Sequence, residues 1–193
     1  MFGIASHESQ LGIIKGQGDP IVELLQYHRE QAASGDDKSK LLLGTMIFDG
    51  LGIIPKNERA GLKLFWQAMH ADTPGRDLVT GNIEVVRRID QAALNSRTAQ
   101  YMRAIIYDRT PESTAHAYEM YRKAIAWDSD STPVSIYERE ASFHATRRLA
   151  SHFMNADAGF PKMQQTAMAL LDLSILRGDT KASSVMLDIV LNS

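Results

Sequence analysis

The feature that most constrains this chain is that it repeats itself. The run Leu43-Gly44-Thr45-Met46-Ile47-Phe48-Asp49-Gly50-Leu51-Gly52 returns in weaker form as Leu149-Ala150-Ser151-His152-Phe153-Met154-Asn155-Ala156-Asp157-Ala158, 106 residues further on. The same offset carries Pro55-Lys56 onto Pro161-Lys162, Gly61 onto Ala167, Leu64 onto Leu170 and Ala68 onto Ser174. A copy that keeps register across a helix, a turn and the next helix implies a fold assembled from similar helix pairs, none of which buries its apolar face alone. Gly44 and Ala150 sit where a bulky side chain would hold two helices apart, and Ile47 and Phe153, one turn on, point the same way as core contacts. A third, shorter copy follows Ala99-x-x-x-Arg103-Ala104-x-x-Tyr107 and Ala117-x-x-Met120-Tyr121-x-x-Ala124, with Thr110-Pro111 replacing the glycine turn.

Apolar periodicity extends this pattern along the chain. Helices are predicted from Ile21 to Ser34-Gly35, from Lys38 to Asp49, and from Pro55 to a turn at Thr73-Pro74-Gly75. Further helices are predicted over Ile83 to Leu94, Ala99 to Asp108, Thr110-Pro111 to Trp127, Thr132-Pro133 toward Asn155, Pro161 to Arg177 and Lys181 to Leu191. No strand alternation competes with them, so the expected fold is all-α, with neighbouring helices antiparallel. Gly12, Gly16 and Gly18 mark residues 1–18 as a flexible arm, and the single domain is expected over 19–193.

These residues resemble the Sel-1-like repeats, a branch of the tetratricopeptide-like α-solenoids. The resemblance rests on Ser39, Leu43-Gly44, Ile47, Gly50, Gly52-Ile53, Asn57, Ala60-Gly61, Leu64-Phe65 and Ala68 in the first copy. In the later copy it rests on Ala145, Leu149-Ala150, Phe153, Ala167, Leu170-Leu171 and Ser174, with Gly178 and Ala182 leading into a last helix. Arg103 departs from the family pattern, which has an apolar residue there. The resemblance implies an α-solenoid of about three degenerate helix pairs. Repeats of this kind span about 34 residues, yet Leu43, Arg103 and Leu149 are 60 and 46 residues apart. Insertions are therefore expected at Thr73 to Ser96 and at Ser129 to Phe143, each lengthening a helix or adding one.

Composition narrows the chemistry. The chain has 193 residues, 21 basic and 23 acidic side chains and a net charge of -2, which provides no global field for nucleic acid. No cysteine is present, which excludes thiol catalysis, thiolate zinc sites and disulfides. No apolar run approaches the length of a membrane span, and residues 1–18 do not read as a signal peptide, so a cytoplasmic chain is expected. A periplasmic chain that had lost its leader would read the same way. The phosphate-binding loop, zinc-protease and serine-nucleophile signatures are missing, and Asp128-Ser129-Asp130 starts like a calcium loop but has Pro133 where glycine is required. No catalytic residue, cofactor or metal is assigned.

His144, Arg148 and His152 recur four apart on one predicted helix face, read as an exposed basic stripe, and the histidines are about 12 Å apart, too far for one metal. Arg87-Arg88 and Arg147-Arg148 offer a phosphate or an acidic partner a site but read first as solvated faces beside Glu84, Asp90 and Glu140, and Trp66 and Trp127 read first as core, with an aromatic contact surface the alternative. Stacked helix pairs present an extended recognition surface, which points to a non-catalytic adaptor or scaffold binding a protein partner. The expected contact residues are Thr45, Met46, Asp49, Arg147, Arg148, Ser151 and His152. The resemblance also admits an immunity protein that neutralises a cognate toxin, and a hydrolase-type enzyme is the alternative of another class. Val185, Leu187, Ile189 and Leu191 would lie on an uncapped last helix, covered either by a homodimer contact or by folding back.

Overall fold

The computed structural model describes residues 20–51, 53–71, 73–126 and 135–191. These form ten α-helices and one 3-10 turn, with no strand among the described residues. In order they are α1 (Pro20–Ala33), α2 (Asp37–Asp49), α3 (Glu58–Ala71), α4 (Thr73–Thr80), α5 (Ile83–Ala92), α6 (Arg97–Tyr107), the 3-10 turn Pro111–Ser113, α7 (Thr114–Ile125), α8 (Ile136–Asn155), α9 (Gln164–Leu176) and α10 (Thr180–Leu191). Side-chain oxygens start several of them: Asp36, Asn82, Ser96 and Ser135 each accept from backbone N–H groups of the first turn. No described helix is long and apolar enough to cross a membrane. The predicted N-terminal arm, Trp127 and the partial calcium loop lie outside the described residues.

Helices adjacent in sequence pack as pairs, α2 on α3, α6 on α7 and α8 on α9. Helices α2 and α3 approach each other closely. A Cβ at Gly44 would stand 2.7 Å from the Phe65 ring, and one at Gly61 would stand 2.6 Å from Phe48 and 2.7 Å from the Gly44 carbonyl oxygen. Two glycines facing each other let Phe48 and Phe65 close over the contact, with ring centroids 6.3 Å apart. In the later copy Ala150 and Ala167 take these places, both fully buried.

The 106-residue correspondence extends to backbone hydrogen bonds. Asn57 N–H donates to Ile47 O at 2.8 Å, and Met163 N–H donates to Phe153 O at 2.8 Å. Gly50 N–H closes α2 onto Met46 O, and Ala156 N–H closes α8 onto His152 O. Both closing residues are left-handed, Gly50 at φ 74° and Ala156 at φ 54°. Glycine takes that conformation freely and alanine does not, so the second turn carries a local strain the first avoids.

The expected turn at Thr73-Pro74-Gly75 is instead the first turn of α4. Proline is accepted there because the N–H it lacks would have no partner inside the helix. The predicted insertion at Thr73 to Ser96 is thus a short pair, α4 and α5, with α4 packed beside α2 and α5 beside α3. The later insertion lengthens α8 at its start. There the Glu138 carboxylate accepts from Ser96 Oγ at 2.7 Å and Arg97 N–H at 2.8 Å, capping α6 from a neighbouring helix. Beyond it α6, α8 and α10 lie side by side, α6 on α8 and α8 on α10. The core runs through the whole stack, with Phe48, Phe65, Met69, Ile89, Met102, Tyr121, Leu149 and Leu171 all buried.

Candidate functional site

The residues with altered chemistry gather on α8 in two clusters. The first is built on Asp108, the residue that closes α6, whose side chain is only 3% exposed. Its Oδ2 accepts from the Tyr121 hydroxyl, from Arg148 Nε at 3.2 Å and from His152 Nε2 at 3.1 Å. The other ring nitrogen of His152 donates to Asp157, and Phe160 stacks on the imidazole at 4.5 Å. An imidazole that faces a carboxylate on both sides donates from both nitrogens, which is the charged form.

Burial disfavours charge on His152, but the bonds to Asp108 and Asp157 outweigh it and raise its pKa above the ordinary histidine value. Burial likewise works against the Asp108 anion, yet His152, Tyr121 and Arg148 hold its carboxyl below the usual range. Burial and then the Asp108 charge push the Tyr121 hydroxyl well above its ordinary value, so it stays a donor. Every polar group here is committed to another. The cluster ties α6, α7, α8 and the turn after α8 into one unit.

The second cluster lies two helical turns earlier and consists of rings. Trp66 and His70 of α3, Tyr101 of α6 and His144 of α8 are all mutual neighbours. His70, Tyr101 and His144 make a triangle with centroids 5.7, 5.9 and 5.0 Å apart. Trp66 closes beneath it, 3.9 Å from His70. His70 Nδ1–H donates to the Trp66 carbonyl at 3.0 Å, which leaves Nε2 as an acceptor. Burial, followed by the positive charges of Arg147 and Lys181 and the neighbouring His70, pushes His144 down to about 4, so it is neutral at pH 7. Burial and Arg76 lower His70 as well.

Between Arg147 and α10 runs a third set of contacts. Arg147 pairs with Asp179, which is 3% exposed and also accepts from Ser174 Oγ at 2.8 Å. One turn beyond Arg147 an open groove of about 470 Å³ begins, lined by Ser151, Met154 and Asn155 of α8, Lys162 and Gln164 before and at the start of α9, and Val185, Asp188 and Ile189 of α10. Among the described residues no three histidine, aspartate or glutamate side chains converge as metal ligands.

The seven residues expected at a partner surface fall in different surroundings. Met46 and His152 are buried inside their helix pairs, and Thr45 is half-buried with its hydroxyl on Leu41 O at 2.9 Å. Asp49 is exposed but paired with Arg88. Arg147 and Arg148 are each bound to a buried aspartate, with Arg148 46% exposed, and Ser151 opens into the groove. Of the predicted exposed stripe of His144, Arg148 and His152 only Arg148 is exposed, with His144 half-buried and His152 buried, because helices cover α8 on several sides: α6, α7, α9 and α10 all pack on it. Arg88, expected on a solvated face, is 8% exposed and held by Asp49 and Glu84, whereas Arg87 is exposed with Glu84 as partner. Trp66 is in the core as expected.

Tyr101, Asp108 and Asp179 were not singled out by sequence reasoning. One signal was present: Asp108 and Asp157 both follow the C-terminal end of a helix, where the macrodipole disfavours a negative charge, so each requires a tertiary partner.

Comparison with protein-family models, with curated proteins and with solved structures finds no match for this chain.

Proposed function

We propose that the chain is a short α-solenoid of Sel-1-like helix pairs that works as a non-catalytic protein-interaction module, binding one partner protein along the face made by α6, α8 and α10. The observation that carries this reading is the recurrence of the same helix-pair contact 106 residues apart, down to matched backbone hydrogen bonds at Ile47–Asn57 and Phe153–Met163. Helix pairs stacked in this way offer an extended surface whose exposed positions vary while the contacts between pairs are kept. The groove that Ser151 opens into runs between α8 and α10, beside the start of α9. A further support is that the strongly perturbed groups of the Asp108 cluster are bound to each other rather than directed at a reacting atom.

The test is capture of partners from native cell extract with the full chain and with a Ser151→Arg/Gln164→Arg variant. One protein retained by the wild type and lost by the variant, with unchanged thermal melting, is the expected result. Retention of no protein by the wild type, or equal retention by both, contradicts the reading.

A further inference from the structure

The turns that follow α2 and α8 occupy matched positions in the two copies, but different residues build them. Where the first has Gly50 and Gly52 the second has Ala156 and Ala158, and where the first has Met46 and Leu51 the second has His152 and Asp157. Ala156 and Ala158 both take the left-handed conformation, at φ 54° and φ 51°, beside Gly159 at φ 79°. Glycine adopts it without steric cost and alanine does not, so the second turn stores strain that other contacts must offset. The copy that has alanines here is also the copy with an ion pair across the turn, from His152 Nδ1 to Asp157.

The second turn is held from several sides. Phe160 is buried and stacks on the His152 ring, Met163 N–H donates to Phe153 O at 2.8 Å, Ala158 O accepts from Thr114 Oγ1 at 2.6 Å, and Asp157 accepts from His152. The last of these contacts depends on protonation. His152 faces Asp108 at the end of α6, Tyr121 of α7 and Asp157 of the turn, with Arg148 one turn back on α8. Once the imidazolium loses a proton, a single N–H remains for two carboxylates. Asp108 is 3% exposed and Asp157 is 51% exposed. A buried carboxylate deprived of a donor costs more than one that water reaches, so the remaining proton stays on Nε2 with Asp108. The Nδ1 lone pair then faces the Asp157 oxygen, and attraction becomes repulsion. The strain at Ala156 and Ala158 loses a contact that opposes it.

We propose that the turn from Ala156 to Phe160 is a pH-released latch, which the His152–Asp157 pair keeps closed while the imidazole is charged and which opens when the proton leaves. Because both carboxylates raise the His152 pKa above the ordinary histidine value, opening falls on the alkaline side of that value. Lys162 and Gln164, just beyond the turn, line the groove beside α10, so opening displaces part of the groove wall. That consequence for binding rests on the reading of the chain as an interaction module, whereas the latch itself is tested without a partner, so the two fail separately.

The test follows amide hydrogen exchange in the full chain from pH 6 to pH 9, corrected for the intrinsic exchange rate, with the His152 ring titrated by NMR. The amides of Ala156 and Phe160, which donate to His152 O and Asp157 O, report on the latch, and those of Gly50 and Asn57 report on the matched turn that lacks it. The expected result is a loss of protection of about tenfold at Ala156 and Phe160 across the His152 midpoint, with Gly50 and Asn57 unchanged. Asp157→Asn is expected to abolish the step, because an amide pairs with either form of the imidazole. Asp157 is half in solvent, so that variant is expected to fold, which its melting curve checks. Ala156→Gly/Ala158→Gly removes the strain and is expected to shrink the step about threefold with the ion pair intact. Constant protection, a fall shared by Gly50 and Asn57, or a midpoint different from that of the His152 ring overturns the proposal. So does a step that survives at full size in Asp157→Asn or in the double glycine variant.

Discussion

His144 and His152 stand on one helix, two turns apart, and their surroundings drive them in opposite directions. His152 lies between Asp108 and Asp157 with both nitrogens bonded, and its pKa is raised. His144 lies among rings and arginines with no hydrogen bond of its own, and is pushed down to about 4. The same side chain thus serves as a charged clamp in one half of α8 and as a neutral ring packed among other rings in the other. Full satisfaction of buried polar groups, as around Asp108, ties helices together through a polar network, whereas the ring cluster is held by ring packing. That difference separates the Asp108 cluster, which joins three helices through charge and hydrogen bonds, from the ring cluster, which joins α3, α6 and α8 through ring contacts.

The contrast can be broken most forcefully at its charged half. Asp108→Ala leaves the Tyr121 hydroxyl and the His152 imidazolium buried without their acceptor, and a loss of about 3–5 kcal/mol in denaturant unfolding is expected. His144→Ala removes ring packing but no hydrogen bond and should cost about 1–2 kcal/mol. Equal losses at the two positions would dissolve the distinction.

Stability against pH sharpens it. Because the folded pKa of His152 is raised, its contribution is complete below the unfolded value of 6.5 and is lost as the pH rises through the folded value. For His144 the folded pKa is depressed, so the unfolded chain takes up the proton first and stability falls as the pH drops from 6.5 toward 4. His152→Gln is expected to flatten the alkaline side of the profile and His144→Gln the acid side, as read from unfolding midpoints across that range. A profile in which each variant alters the other's side would reverse the assignment.

Smaller effects follow at the edges of the two clusters. Lys181→Ala removes one of the charges that depress His144, and its titration midpoint should move upward from about 4, as followed by NMR. Asp157 is 51% exposed, so Asp157→Asn should cost no more than about 1 kcal/mol, well below the change at Asp108. A loss as large as that at Asp108 would mean the two carboxylates share the work on His152 equally.

Much of the architecture was legible in the sequence, because it rests on local rules. Proline and glycine punctuation placed most helix ends within two or three residues, and Gly44 and Ala150 announced close helix contacts, though their facing partners Gly61 and Ala167 emerge only in the structure. The helix α4 was missed because Thr73-Pro74-Gly75 has the composition of a turn, and only the packing of α4 against α2 and α3 selects the helical alternative. The site was far less legible. Residues four apart share a helix face, but nothing local says how many neighbours cover that face. On α8 the cover is nearly complete at His152 and partial at His144. The partners that set their chemistry, Asp108, Tyr101 and His70, come from 43 to 74 residues away in the chain, a relation no spacing rule records.

The measurement that bears most directly on the division of α8 is an NMR titration of the six histidines in the full chain, assigned through His144→Gln and His152→Gln. The division predicts a His144 midpoint near 4 and a His152 midpoint above 6.5. Two midpoints near 6.5, or the reverse order, would contradict it.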